Sequence, residues 1–183
     1  MFLVAGAIAF GGGCLARSRY ERDCLVTEEY RIVSEKIHGP GKTIVFLTDL
    51  HNKEFGDQNC RLLDAVRKVK PDAVLSGGDG MVAKKGNSDV EIPRKLLTEL
   101  AKEFPVYCGN GNHECRMVWK SDIYGAAYEN YQAALENAGI RYLANGSADL
   151  DGEIRIYGLD LPKSAYLPRS GQIPENLLKD ALG

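Results

Sequence analysis

The chain has 183 residues, with 23 Lys plus Arg against 25 Asp plus Glu, a formal net charge of −2. Hydrophobic residues make up 44% and charged residues 26%, which excludes a disordered chain and allows one domain with a core of its own. The balanced charge excludes a general polyanion-binding surface, so no nucleic-acid partner is indicated. Cys14, Cys24, Cys60, Cys108 and Cys115 are odd in number and none is paired at CxxC spacing, which argues against a disulfide framework and a zinc ribbon.

Residues 1–16 (MFLVAGAIAFGGGCLA) contain no charged side chain, and Arg17, Arg19 and Arg22 follow. The expectation is a single N-terminal membrane anchor or signal-like segment, slightly short of the roughly 20 apolar residues that span a bilayer. It places the protein at a membrane, on a side the charges leave open. Residues 17–42 read as a charged linker with one edge-strand candidate, Val26–Val33, and Gly39-Pro40-Gly41 breaks the chain after it. The main domain is expected over 43–183. Thr43–Leu47 is a short β-branched apolar run, the pattern of a buried strand. Asn59–Val69 has Leu62, Leu63, Val66 and Val69 at helical spacing, and Lys70-Pro71 ends it. Asp72–Leu75 is a second strand, Pro93–Phe104 a helix and Pro105–Cys108 a third strand. Asp122–Ala138 reads as one long helix capped by Gly139, and Ile140–Leu143 as a fourth strand. Asp151-Gly152 predicts a hairpin turn between Ser147–Leu150 and Glu153–Leu159. A helix-like stretch, PENLLKDALG, ends the chain. Strands alternating with helices imply βαβ units and a largely parallel sheet.

Ligands of such sheets sit outside the carboxyl ends of the strands. The first strand is followed by Thr48-Asp49-Leu50-His51, the second by Gly77-Gly78-Asp79-Gly80, and the third by Gly109-Asn110-Gly111-Asn112-His113-Glu114. Thirty residues separate Asp49 from Asp79, and 33 separate Asp79 from Asn112. Each interval holds one helix and one strand, so the three loops should converge on one rim. Asp and His together are a mixed oxygen and nitrogen donor set, suited to Zn, Mn, Fe or Ni. Asp49 and His51, at i and i+2 on an extended segment, should point the same way. A carboxylate such as Asp79 can bridge two cations, which together clamp a phosphoryl group. Asn112 adds an amide oxygen, and His113 can act beside the metals as proton donor or charge partner. Glu114 reads as a structural residue or the acid of a helix N-terminus rather than a catalytic group. Arg116 and Trp119 read as core or solvent-facing residues, and Cys108 and Cys115 as packing. Neither GGGC at 11–14 nor GGDG at 77–80 matches the GxGxxG of a dinucleotide-binding turn.

These motifs, TDLH, GGDG and GNGNHE over about residues 42–161, resemble those of the calcineurin-like metallophosphoesterase superfamily. The apolar N-terminus, VTEEYRIV and DLHNKEFG resemble its membrane-anchored bacterial branch. The resemblance implies a metallophosphoesterase-type α/β sandwich, a largely parallel sheet with flanking helices. It also implies a dinuclear centre of two divalent metal ions: Asp49 and His51 on one, Asp79 bridging, Asn112 on the other, with His113 as the catalytic residue at the leaving group. The implied substrate is a phosphate mono- or diester, with lipid headgroups or nucleotide-sugar lipids among the candidates. The family's later motifs, an isolated His and a Gly-His-x-His, have no counterpart here. The third histidine, His38, precedes the first strand. The expectation is therefore an N-terminal part of a longer enzyme whose C-terminal half is missing; the alternative is a non-catalytic remnant that binds metal or a partner.

Overall fold

The computed structural model describes residues 2–166, with side chains described from Gly12 onward. The chain divides into two compact units, residues 1–31 and 32–183. The first contains helix α1, Phe2–Asp23. Among the described residues no helix is long and apolar enough to cross a membrane, which overturns the expected N-terminal anchor. The physical reason is the composition of α1. Its uncharged stretch stops at Ala16, and the last seven residues, RSRYERD, bring three arginines and two acids into the same helix. Val26–Val33, expected as an edge strand, has no regular structure, and Val26, Tyr30, Ile32 and Val33 are exposed. A strand exists by pairing, and no ladder engages this segment among the described residues. The terminal PENLLKDALG lies outside the described residues.

The second unit alternates strands and helices: β1 (Ile44–Leu47), α2 (Cys60–Val69), β2 (Ala73–Ser76), α3 (Glu91–Ala101), β3 (Val106–Cys108), α4 (Asn112–Trp119), α5 (Ser121–Tyr124), α6 (Ala127–Asn137) and β4 (Arg141–Tyr142). The four strands form a sheet in the order β1-β2-β3-β4. Every pair is parallel, with Val45 opposite Val74, Leu75 opposite Tyr107 and Cys108 opposite Tyr142. This is the α/β architecture, a parallel sheet flanked by helices, that the alternation implies. The antiparallel hairpin β5 (Gly146–Asp149) and β6 (Arg155–Gly158) follows. At its turn Asp151 Oδ1 accepts the N–H groups of Glu153 and Ile154, and Gly152 takes the left-handed conformation (φ 86°).

Alternating side chains divide the core between the two faces of the sheet. Ala73, Tyr107 and Leu143 pack on one face with Leu75, Ala148, Leu150 and Ile156, so the hairpin covers that side. Helices α2, α3 and α6 bury Leu62, Leu63 and Val66, then Leu96, Leu97 and Leu100, then Tyr128, Tyr131 and Leu135. Fully burying a leucine stabilises the fold by about 2 kcal/mol. The helix expected over Asp122–Ala138 is two helices, because Gly125 adopts φ 58°, ψ −136°. Only glycine takes that backbone readily, and it ends the helical ladder. Helix α4, signalled in the sequence only through Glu114 as the acid of a helix N-terminus, starts inside the third motif.

Candidate metal centre

The three strand-end loops meet above the C-terminal ends of β1, β2 and β3. The Asp49, His51 and Asn52 N–H groups donate to the Gly78, Asp79 and Gly80 carbonyls at 3.1, 3.0 and 2.9 Å. These bonds strap the first loop to the second beyond the sheet ladder. The segment is not extended, as the i, i+2 reading assumed. Asp49 (φ 55°), His51 (φ 50°) and Asn52 (φ 58°) are all left-handed, as is Asp79 (φ 52°). Each such non-glycine residue stores on the order of 1 kcal/mol of strain, held by its surroundings. The turn still brings Asp49 and His51 together, with His51 Nε2 3.5 Å from Asp49 Oδ1 and both side chains exposed.

The second and third loops touch through glycine. A Cβ on Gly78, itself left-handed at φ 87°, would lie 2.0 Å from the Gly111 nitrogen, and one on Gly111 would lie 2.4 Å from the Asp79 nitrogen. Both are impossible contacts, so the backbones meet with no space for a side chain. Asp79 is 8% exposed and sits on the N-terminus of α4, where backbone N–H groups favour an anion. Its Oδ1 accepts the His113 N–H at 2.7 Å and its Oδ2 accepts Asn112 Nδ2 at 2.7 Å. With Nδ2 engaged, the Asn112 carbonyl oxygen is the atom left for a cation.

Glu114 is 1% exposed. One carboxylate oxygen accepts the N–H groups of Asp79 and Gly111 at 2.9 and 3.0 Å, and the other accepts that of Gly80 at 3.1 Å. Burial pushes its carboxyl up from the ordinary range, while the bond from the Asp79 N–H opposes the shift. Glu114 thus clamps the second loop to the third. His113 Nδ1 accepts the Ala83 N–H at 3.1 Å. A backbone N–H can only donate, so Nδ1 is unprotonated and the neutral ring carries its proton on Nε2. Burial holds His113 below its ordinary pKa, against the pull of Asp79. Arg116, one turn on, donates from Nη1 to the Ala83 carbonyl at 2.9 Å. The His51 and His113 rings meet edge to face with centroids 5.2 Å apart.

One polar side-chain atom from each of His51, Asp79 and His113 lies within 4.8 Å of the other two; with Nδ1 of His113 engaged by Ala83, His51 and Asp79 are the two of the three with lone pairs free for a cation. The sequence expectation has Asp49, His51, Asp79 and Asn112 as ligands and reserves His113 for catalysis; Asp49 Oδ1 lies 3.5 Å from His51 Nε2, and Asn112 Nδ2 lies 2.7 Å from Asp79 Oδ2. The structure brings all five into one constellation, Asp49 through His51 and Asn112 through Asp79. The mixed oxygen and nitrogen donors fit a divalent transition ion. His38 is elsewhere: its backbone N–H bonds to Glu153 beside the hairpin turn, and Lys42, near the same turn through Asp151, marks the N-terminal end of the sheet. A hollow of about 330 Å³ at that end, lined by Lys42, Asp72, Arg141, Asp149 and Asp151 among others, contains none of the five residues. Cys108 and Cys115 are buried and their thiols are pushed up to about 12, mainly by burial. Trp119 pairs with Tyr166 at 5.5 Å between ring centroids. Asn110, which sequence reasoning passed over, makes more side-chain hydrogen bonds than any of the five. Its one sequence signal is a position between two glycines at a strand end.

A family model described as calcineurin-like phosphoesterase matches residues 42–181. No curated protein and no solved structure matches the chain.

Proposed function

Because the chain belongs to the calcineurin-like phosphoesterase family, we propose that it hydrolyses phosphate mono- or diesters with two divalent metal ions held at the rim of its parallel sheet. The observation that carries this reading is the convergence of His51, Asp79 and His113 within 4.8 Å. Asp49 and His51 would hold one ion, Asp79 would serve both and Asn112 would offer its amide oxygen to the second; Mn, Fe, Zn and Ni all suit such donors. A bound ion supplies Lewis-acid polarisation of a phosphoryl oxygen and an acidified water. His113 presents its Nε2 proton to the departing oxygen, because Ala83 occupies Nδ1. Glu114 keeps the Asp79 loop and the His113 helix in register. Lipid headgroups and nucleotide-sugar lipids belong in the substrate panel on the strength of the motif resemblance.

A second reading, a metal-binding module without turnover, draws on one observation: His38 is tied to Glu153 by its backbone, so His51 and His113 are the histidines available to the rim. One experiment separates the two. The 183-residue chain and its Asp79→Asn variant are assayed with Mn²⁺ on p-nitrophenyl phosphate and bis-p-nitrophenyl phosphate, and Mn²⁺ binding is titrated in parallel. The hydrolase reading expects metal-dependent turnover, lowered on the order of 100-fold or more by Asp79→Asn, the scale of losing a group that organises transition-state charge. Binding without turnover on any ester selects the second reading. Neither binding nor turnover sinks both.

A further inference from the structure

Asn110 lies between β3 and α4, directly before Gly111. Its amide nitrogen donates to Asp160 Oδ2 at 2.8 Å and to the Tyr128 hydroxyl at 3.0 Å. Its amide oxygen accepts the Tyr142 hydroxyl at 2.5 Å and the Tyr128 hydroxyl at 3.3 Å. The Tyr128 hydroxyl faces both amide atoms and satisfies one of them at a time, so three side chains, Asp160, Tyr128 and Tyr142, hold the one amide. The partners come from α6, from β4 and from the segment just after β6, so Asn110 ties the third loop to three separate parts of the fold.

Asp160 is the member that decides the orientation. An ionised carboxylate only accepts, so it selects which end of the amide faces it. Tyr142, whose hydroxyl can donate or accept, follows that choice and donates to the amide oxygen. Asp160 is itself placed by its backbone N–H, which donates to Asn145 Oδ1 at 2.9 Å. Its second oxygen, Oδ1, is buried without a hydrogen-bond partner among the described residues. An unpaired buried carboxylate oxygen opposes folding. What Asp160 does achieve is a fixed Asn110, and the Asn110 backbone abuts the second loop without slack. A Cβ on Gly78 would lie 2.5 Å from the Asn110 carbonyl carbon, and one on Gly111 2.5 Å from Asp79 Oδ1. A shift of Asn110 therefore passes directly to Asp79 and to the start of α4.

We propose that Asp160 is a positioning residue for the metal-binding rim, acting through Asn110 on the loop that carries Asn112 and His113 and on Asp79 against it. The proposal rests on the metal-centre reading above. The test is Mn²⁺ titration of the full chain by calorimetry, alongside the melting temperature of the metal-free protein. Asp160→Leu and Asn110→Asp are each expected to weaken Mn²⁺ binding at least tenfold, within the range for residues that orient metal ligands. The exchange N110D/D160N restores one donor facing one acceptor and is expected to recover binding to within threefold of the unmodified chain. A purely stabilising role would lower the melting temperature and leave the affinity of the folded protein unchanged. If Asp160→Leu does not fold, Asn110→Asp and the exchange decide. Single variants that fold and bind Mn²⁺ less than tenfold more weakly overturn the positioning role and leave the metal centre standing. An unmodified chain that binds no Mn²⁺ overturns the metal-centre reading, and this one with it.

Discussion

Gly111 shows how tightly single residues determine the site. Its φ of −98° suits any residue, so the need for glycine is one of space. An added methyl would strike the Asp79 nitrogen at 2.4 Å and Oδ1 at 2.5 Å. Gly109, two residues earlier, has nothing nearer than 3.9 Å. Gly111→Ala is expected to destabilise the protein by about 1–3 kcal/mol, the range for overpacking, and to weaken Mn²⁺ binding. Gly109→Ala is expected to stay within about 1 kcal/mol on both counts. Urea denaturation of the two variants checks this, and equal effects would refute the close approach of Gly111 to Asp79. The motif residue types are legible at this scale, because Asp, His and Asn carry the oxygen and nitrogen donors that divalent transition ions take. Their backbone is not. Asp49 and His51 reach left-handed conformations because carbonyls of Gly78 and Asp79, about 30 residues away, hold their N–H groups.

Among the elements, the helices show where periodic patterns suffice. The stripe Tyr128, Tyr131 and Leu135 was legible, and these residues are buried in α6. Leu135 is 0% exposed, so Leu135→Ala is expected to lose about 2–5 kcal/mol in urea unfolding. Glu129→Ala, on the exposed side of the same helix, should change stability by no more than about 0.5 kcal/mol. A Leu135→Ala loss below about 1 kcal/mol would contradict the packing of α6 under the sheet. Boundaries were less legible. Gly125 cut one expected helix into α5 and α6, since a single glycine can be tolerated inside a helix or can end it, and only its dihedral angles distinguish the two. The extent of helix α4 was hidden because its first turn is also the third motif: Asn112 and His113 read as loop chemistry, only Glu114 read as the acid of a helix N-terminus, and the three are the first helical residues. In α1 the arginines and acids that follow Ala16 share the helix with the apolar stretch, which removed the expected anchor.

At the scale of the whole molecule, the cysteines report on the fold. Cys14 and Cys60 are exposed, and Cys108 and Cys115 are buried. With the buried thiols pushed up to about 12, the thiolate fraction at pH 8 is on the order of 10⁻⁴. Iodoacetamide at pH 8 is expected to modify Cys14 and Cys60 and to spare Cys108 and Cys115 until urea unfolds the chain. Mass spectrometry of peptides reads the result, and native labelling of Cys108 would exclude the β3 placement described here. The alternation of strands and helices, the parallel order of the sheet and the meeting of three motifs at one rim were all determined by sequence, because hydrophobic period and chain connectivity are local properties. The tertiary structure decided what depends on distant partners. It strapped the first motif to the second, gave Glu114 three backbone N–H groups to hold, engaged His113 Nδ1 with Ala83, and joined Asn110 to Asp160 across 50 residues. Hydrogen bonds between residues that far apart leave no periodic trace in the chain, and a buried donor or acceptor is satisfied only by what the completed fold places beside it.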